Sequence, residues 1–247
     1  IIGAYTASCE DLRFGDAFLD KAPGGDVTID TIFSSRVYAE QFLATAYSSL
    51  YYGIPVTQSH PITSRIGLDM LEALTDVVQS NPNRGAARYY TGSINAGTEN
   101  TSDQTKYNYN REGAWEGIRA AWIYVENVNL VPDMTDDEKK VRAAEAKMIV
   151  ACHYADMYRH FGGLPWIGKA IYPEDAVRYP RLTVKETVNH IIDLIDEAAA
   201  DLPWVLENIT VDDGRFTRAA AMALKIRLLL FTASPLFNDN VPFMAGE

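Results

Sequence analysis

Thr183-Val184-Lys185-Glu186-Thr187-Val188-Asn189-His190-Ile191-Ile192-Asp193-Leu194-Ile195-Asp196-Glu197-Ala198-Ala199-Ala200-Asp201-Leu202-Pro203 is the stretch that decides the fold class. Thr183 and Glu186 have the spacing of a capping box, in which each side chain satisfies a backbone donor left free by the first turn. Val188, Ile191, Ile192, Ile195, Ala199 and Leu202 follow at helical spacing up to Pro203, which cannot extend a helix. The spacing predicts a helix over 183–202 with one apolar face, and such a face must be buried on another element.

The same signals recur on both sides. Thr135-x-x-Glu138 opens a helix carrying Val141, Ala144, Met148, Ala151, Cys152 and Ala155, with its stop at Gly162-Gly163. Before it, Trp115, Ile118, Trp122 and Val125 make another stripe. Downstream, a helix starts near Thr217, turns Ala220, Leu224, Leu228 and Phe231 inward, and ends before Pro235. Two earlier stripes are Ala39, Leu43, Ala46, Tyr47, Leu50 and, past Pro55 and Pro61, Met70, Leu71, Leu74, Val77, Val78. Residues 10–35, broken at Pro23-Gly24-Gly25, read as an extended arm. No stretch alternates as a half-buried strand does. Successive helices pair as 36–51 with 66–79, 112–129 with 136–161, and 183–202 with 217–232. The expected fold is all-α: stacked helical hairpins of tetratricopeptide-like (TPR-like) repeats, since each hairpin buries its open face on the next.

One long irregular loop interrupts the stack. Residues 81–110 hold six Asn, four Tyr and three Gly, a mixture that cannot form a core element. Connections beyond ~12–15 residues are usually functional or disordered, and the tyrosines argue against plain disorder. Sugars present apolar ring faces edged with hydroxyls, so a binder combines aromatic platforms with amide and guanidinium partners. Tyr89, Tyr90, Tyr107 and Tyr109 are the candidate platforms, and Arg88, Asn95 and Asn108 the candidate hydroxyl partners. An ordinary surface loop, with some tyrosines pinned to the helices, is the competing reading.

Composition narrows the function classes. The 247 residues, 47% hydrophobic and 22% charged, have a globular balance. Acidic residues outnumber basic ones 33 to 22, and the net charge of −11 disfavours nucleic acid as a partner. No apolar run approaches the ~20 residues of a membrane span. Two cysteines, Cys9 and Cys152, are too few for a disulfide framework or a cysteine zinc site. His153-x-x-Asp156 and Glu186-x-x-x-His190-x-x-Asp193 share helix faces, but no accompanying motif makes them a metal site. No Gly-x-Ser-x-Gly and no phosphate-binding glycine loop is present. Neither a catalytic residue, a metal nor a cofactor is expected.

At the N-terminus, small residues precede a cysteine in Thr6-Ala7-Ser8-Cys9, as in a bacterial lipoprotein signal. Read this way, residues 1–8 are the end of a signal peptide, and Cys9 is the lipidated residue opening a domain over 9–247. A disordered terminus with an incidental cysteine is the alternative.

Trp115-x-x-Ile118-Arg119-x-Ala121, Glu145-Ala146-Lys147-Met148-Ile149, Tyr154 and Phe161-Gly162-Gly163-Leu164-Pro165 occur in that order. Pro180-Arg181-x-Thr183-Val184-x-Glu186, Gly214-Arg215-x-Thr217-x-x-Ala220, Lys225-x-Arg227 and Ala233-Ser234-Pro235-Leu236-Phe237-Asn238 continue the series. The ordered set resembles the SusD/RagB family of Bacteroidetes outer-membrane lipoproteins, departing at Trp122, where Asn is usual, and at Val150, where Arg is. Members are longer, and this chain would be an N-terminal portion truncated at its C-terminus. The resemblance implies a non-enzymatic, surface-exposed lipoprotein of the outer membrane, anchored through Cys9. It would capture oligosaccharides and deliver them to a SusC-type TonB-dependent transporter. Peptide cargo in the same kind of transporter pair, an α-helical glycosidase and a protein-binding scaffold are the alternatives. No invariant sugar-contacting motif carries over from the family.

Overall fold

The computed structural model describes residues 28–50, 75–77, 114–172, 175 and 178–238. Among these the secondary structure is helical, with no strand. The helices are α1 (Ile29–Ile32), α2 (Arg36–Ser48), α3 (Ala114–Asn127) with a 3-10 turn at Val128–Leu130, and α4 (Asp136–Phe161). They continue as α5 (Val184–Asp201), α6 (Ile209–Asp212), α7 (Arg218–Thr232) and α8 (Pro235–Asn238). The fold is all-α, a stack of TPR-like helical hairpins. α3 with α4 and α5 with α7 are two of the three expected pairs, and α2 packs on α3.

Both capping boxes form. Thr135 accepts from Glu138 N–H while Glu138 accepts from Thr135 N–H, and Thr183 and Glu186 repeat the exchange. Gly162, at φ 71°, ends α4 in a conformation that favours glycine. The segment after it is fitted tightly to the start of α5. Leu164 N–H donates to Thr187 Oγ1 at 3.0 Å, and Leu182 N–H donates to the Leu164 carbonyl at 3.1 Å. Arg181 Nε and Nη2 donate to the carbonyls of Gly163 and Phe161, both at 2.8 Å. Arg218 clamps the end of α5 similarly, donating to the carbonyls of Ala199 and Ala200 at 2.6 Å.

α4 is more enclosed than its single predicted stripe. Besides Ala144, Met148, Ala151 and Ala155, it buries Ala146, Ile149, Val150, Tyr154, Met157 and Tyr158, because α3 and α5 cover opposite sides of it. The two departures from the family pattern belong to this core: Val150 is fully buried, and buried Trp122 donates Nε1–H to the Ile167 carbonyl at 2.9 Å. Cys152 keeps some surface, yet desolvation pushes its thiol up to about 12, which suits a structural rather than reactive role.

Three local readings need correction. Residues 28–35 are not an extended arm, since Thr28 caps α1 and Phe33 is buried against Phe42 and Tyr124. Residues 75–77, expected inside a helix over 66–79, form a bend with Val77 78% exposed. There the Thr75 hydroxyl accepts from Val77 N–H at 3.3 Å, a local bond that competes with helix. In α7 the fully buried residues are Ala221 and Leu228, with Ala220, Leu224 and Phe231 only half-buried.

Candidate functional site

The residues predicted to meet a sugar, Arg88, Tyr89, Tyr90, Asn95, Tyr107, Asn108 and Tyr109, lie outside the described residues. So does Cys9. Two constellations stand out among the described residues.

The first is a row of aromatic rings running from the core to the surface. Trp115 meets Tyr154 edge-on at 6.2 Å, Tyr154 meets Trp166 at 4.4 Å, and Trp166 stacks on exposed His190 at 4.8 Å and 9°. Hydrogen bonds fix its centre: the Tyr154 hydroxyl donates to the Pro165 carbonyl at 3.1 Å and accepts from Ile167 N–H at 2.8 Å. Beside it, Arg119 donates Nε–H to the Ile171 carbonyl at 2.6 Å and lies 5.8 Å from the Tyr172 ring centroid. Ala170 N–H donates to Glu126 at 2.9 Å. The row therefore pins residues 163–172 across α3 and α4. His190, which sequence spacing offered only as a metal ligand, serves as an aromatic partner here.

The second is a charge cluster joining α2, α4 and the connector before α7. Glu145, 1% exposed, accepts from Arg142 at 2.6 Å, Arg215 at 2.9 Å and the Tyr47 hydroxyl at 2.9 Å. Glu40 accepts from the same two arginines, at 2.7 Å and 2.6 Å, and Asp212 lies 3.1 Å from Arg215 Nε. Burial opposes the charge on Glu40, but bonding to Arg142 and Arg215 prevails and holds its carboxyl below the usual range. Desolvation, and then the Glu145 charge, push the Tyr47 hydroxyl well above its ordinary value. Both glutamates are thus consumed by guanidinium groups, which suits a structural joint and not proton transfer.

The spacings that suggested metal ligation do not converge. Buried His153 places Nε2 2.8 Å from Ser49 Oγ, and Asp156 pairs with Arg159. Among the described residues no group of three or more metal-capable side chains assembles. No described helix is long and apolar enough to cross a membrane. Trp204 lies outside every motif read from the sequence. Its one sequence signal is its place directly after the Leu202-Pro203 helix stop.

A SusD-like family described as starch-binding, associating with outer membrane, matches residues 17–230. No curated protein matches the sequence. Among solved structures, a SusD-like protein from Bacteroides fragilis NCTC 9343 is 20% identical with a TM-score of 0.57, covering 83% of this chain and 38% of that one. A laminarin-binding SusD-like protein is 18% identical with a TM-score of 0.61, over 80% of this chain and 40% of that one. The surface glycan-binding protein A of Bacteroides uniformis is 14% identical, also with a TM-score of 0.61, over 79% and 42%. The chain thus spans about two fifths of the length of these relatives.

Proposed function

We propose, because the chain belongs to the SusD-like family of starch-binding proteins associating with the outer membrane, that the whole protein binds oligosaccharides at the cell surface and passes them to a transporter. The family match over residues 17–230 carries this reading. Glycan-binding neighbours of the same fold support it. The function is capture, not turnover. The transporter would be of the SusC, TonB-dependent type, and Cys9 would carry the lipid that holds the protein on the outer membrane. Sugar contacts are assigned to the 81–110 segment, with Tyr89, Tyr90, Tyr107 and Tyr109 stacking on pyranose rings and Arg88, Asn95 and Asn108 bonding hydroxyls. Outer polar faces of the hairpins over 112–161 and 183–232 are assigned to the transporter, although α7 also leaves Met222, Ile226, Leu229 and Leu230 exposed.

Calorimetry of the full-length protein with oligosaccharides tests the binding, and Tyr→Ala variants test the segment. Saturable heat without hydrolysis is the expected result, whereas sugar turnover would sink the capture reading. Four variants that each bind like wild type while folded would move the site away from 81–110. Cys9→Ala should leave the outer-membrane fraction. Its retention there would refute the anchor.

A further inference from the structure

We propose that Trp204 is a stacking platform for one glucose unit of an oligosaccharide, a sugar position separate from the 81–110 segment; the proposal rests on the glycan-binding reading. Of the four tryptophans, Trp122 is buried and Trp115 and Trp166 are half-buried in the aromatic row. Trp204 alone is open, at 57% exposure. A ring left in water without constraint would be an ordinary surface side chain. This one is braced.

The brace is Arg218, whose guanidinium carbon lies 5.6 Å from the Trp204 ring centroid. Arg218 is itself tied to the backbone: Nε and Nη2 donate to the Ala199 and Ala200 carbonyls at 2.6 Å, and its backbone N–H donates to the Pro203 carbonyl at 2.8 Å. The cation–π contact braces one side of the indole. Fixing a side chain before binding removes an entropy cost that binding would otherwise carry. The C–H faces of a glucopyranose suit an apolar ring of this area, and aromatic platforms contribute large contact with few torsions.

The same connector carries the polar groups that the other half of sugar recognition needs. Exposed Asp201 and Glu207 offer carboxylate acceptors. Asn208, whose Oδ1 accepts from Thr210 N–H at 3.2 Å, still carries two amide N–H donors. Val205, Ile209 and Val211, in the chain that follows, are each more than half exposed. A protein partner is the competing occupant of such a surface. Carboxylates and an amide within four residues of the braced indole in sequence favour the sugar.

The test is acrylamide quenching of tryptophan emission from the full-length protein, with and without maltoheptaose or laminarihexaose. Calorimetry with the same two sugars on Trp204→Ala and Trp204→Phe runs beside it. Because Trp204 is the open indole, either sugar should cut wild-type quenching by about half, and Trp204→Phe should abolish that protection. Trp204→Ala should weaken binding about tenfold with an unchanged circular dichroism spectrum. Heat of binding with quenching unaltered would overturn the Trp204 subsite and leave glycan capture standing. Absence of both heat and protection with both sugars would overturn the glucose subsite, whereas glycan capture falls only if no oligosaccharide gives heat. The wild-type quenching result decides even where a variant fails to fold.

Discussion

The backbone at Gly163 passes so close to Leu182 that a Cβ built on the glycine would stand 2.0 Å from the Leu182 carbonyl oxygen. Backbone atoms cannot move aside as a flexible side chain can. Gly163→Ala should therefore separate the end of α4 from the start of α5, at a loss of about 2 kcal/mol or more. Urea unfolding measures it. Gly214→Ala, with φ at +86° but no atom within 4 Å of the added carbon, should cost only about 1 kcal/mol. Equal midpoints for Gly163→Ala and wild type would refute the close approach.

Removing the Glu145 side chain should be more damaging than trimming its partners. Glu145→Ala leaves Arg142 and Arg215 with Glu40 and Asp212 alone, inside a largely enclosed cluster. Breaking a buried pair this way costs about 3 kcal/mol. Tyr47→Phe, which deletes one hydrogen bond to Glu145, should cost about 1 kcal/mol. A loss below about 1 kcal/mol for Glu145→Ala would mean that the arginines find other partners.

The pH dependence follows from Glu40. Its folded carboxyl titrates below the ordinary value of 4.5, so its charge stabilises the folded state above that value. This contribution is lost as pH falls through the lower, folded value. Thermal midpoints should hold from pH 7 to 5 and then fall, and Glu40→Gln should show a shallower decline below pH 4.5. An identical acid limb in the two proteins would remove Glu40 from the account.

At the start of α5 the cap is reciprocal, with Glu186 N–H donating to Thr183 Oγ1 at 3.2 Å and Thr183 N–H to Glu186 Oε2 at 3.0 Å. Thr183→Ala should lower stability by about 1 kcal/mol. Because Thr183 and Glu186 share one box, the double variant should lose less than the two single losses combined. Strict additivity in urea titrations would argue that each residue acts alone.

Helix starts and stops were legible because caps and prolines act locally: Thr135, Thr183 and Gly162 behave as their neighbours in sequence dictate. The hairpin pairing was legible from the apolar stripes of 112–161 and 183–232. Enclosure of α4 was not, since Ala146 and Val150 reveal their burial only once α3 and α5 lie on either side. The charge cluster was invisible for the same reason, as Glu40, Glu145 and Arg215 belong to distant segments, and the phrases that hold Glu145 and Arg215 do not say that they meet. Phe161-Gly162-Gly163-Leu164-Pro165 and Pro180-Arg181-x-Thr183 could be read as phrases but not as the two halves of one joint. The predicted sugar contacts over 81–110 fall outside the described residues. Trp204 is a single exposed aromatic and leaves no periodic trace in the sequence.

In an array whose repeats touch only their neighbours, each end can melt while the middle persists. Here Arg215, just before α7, bonds to Glu40 on α2 across 175 residues of sequence, and Phe216 N–H donates to the Tyr47 hydroxyl at 3.2 Å. The ring of Tyr47 also stacks on Phe216 at 5.4 Å. These contacts turn a linear series into a closed circuit. Opening either end then requires breaking the join that secures the other, so hydrogen exchange in α2 and α7 should be governed by one shared opening event. Closing so long a loop also places this join late in folding, after the local hairpins have formed.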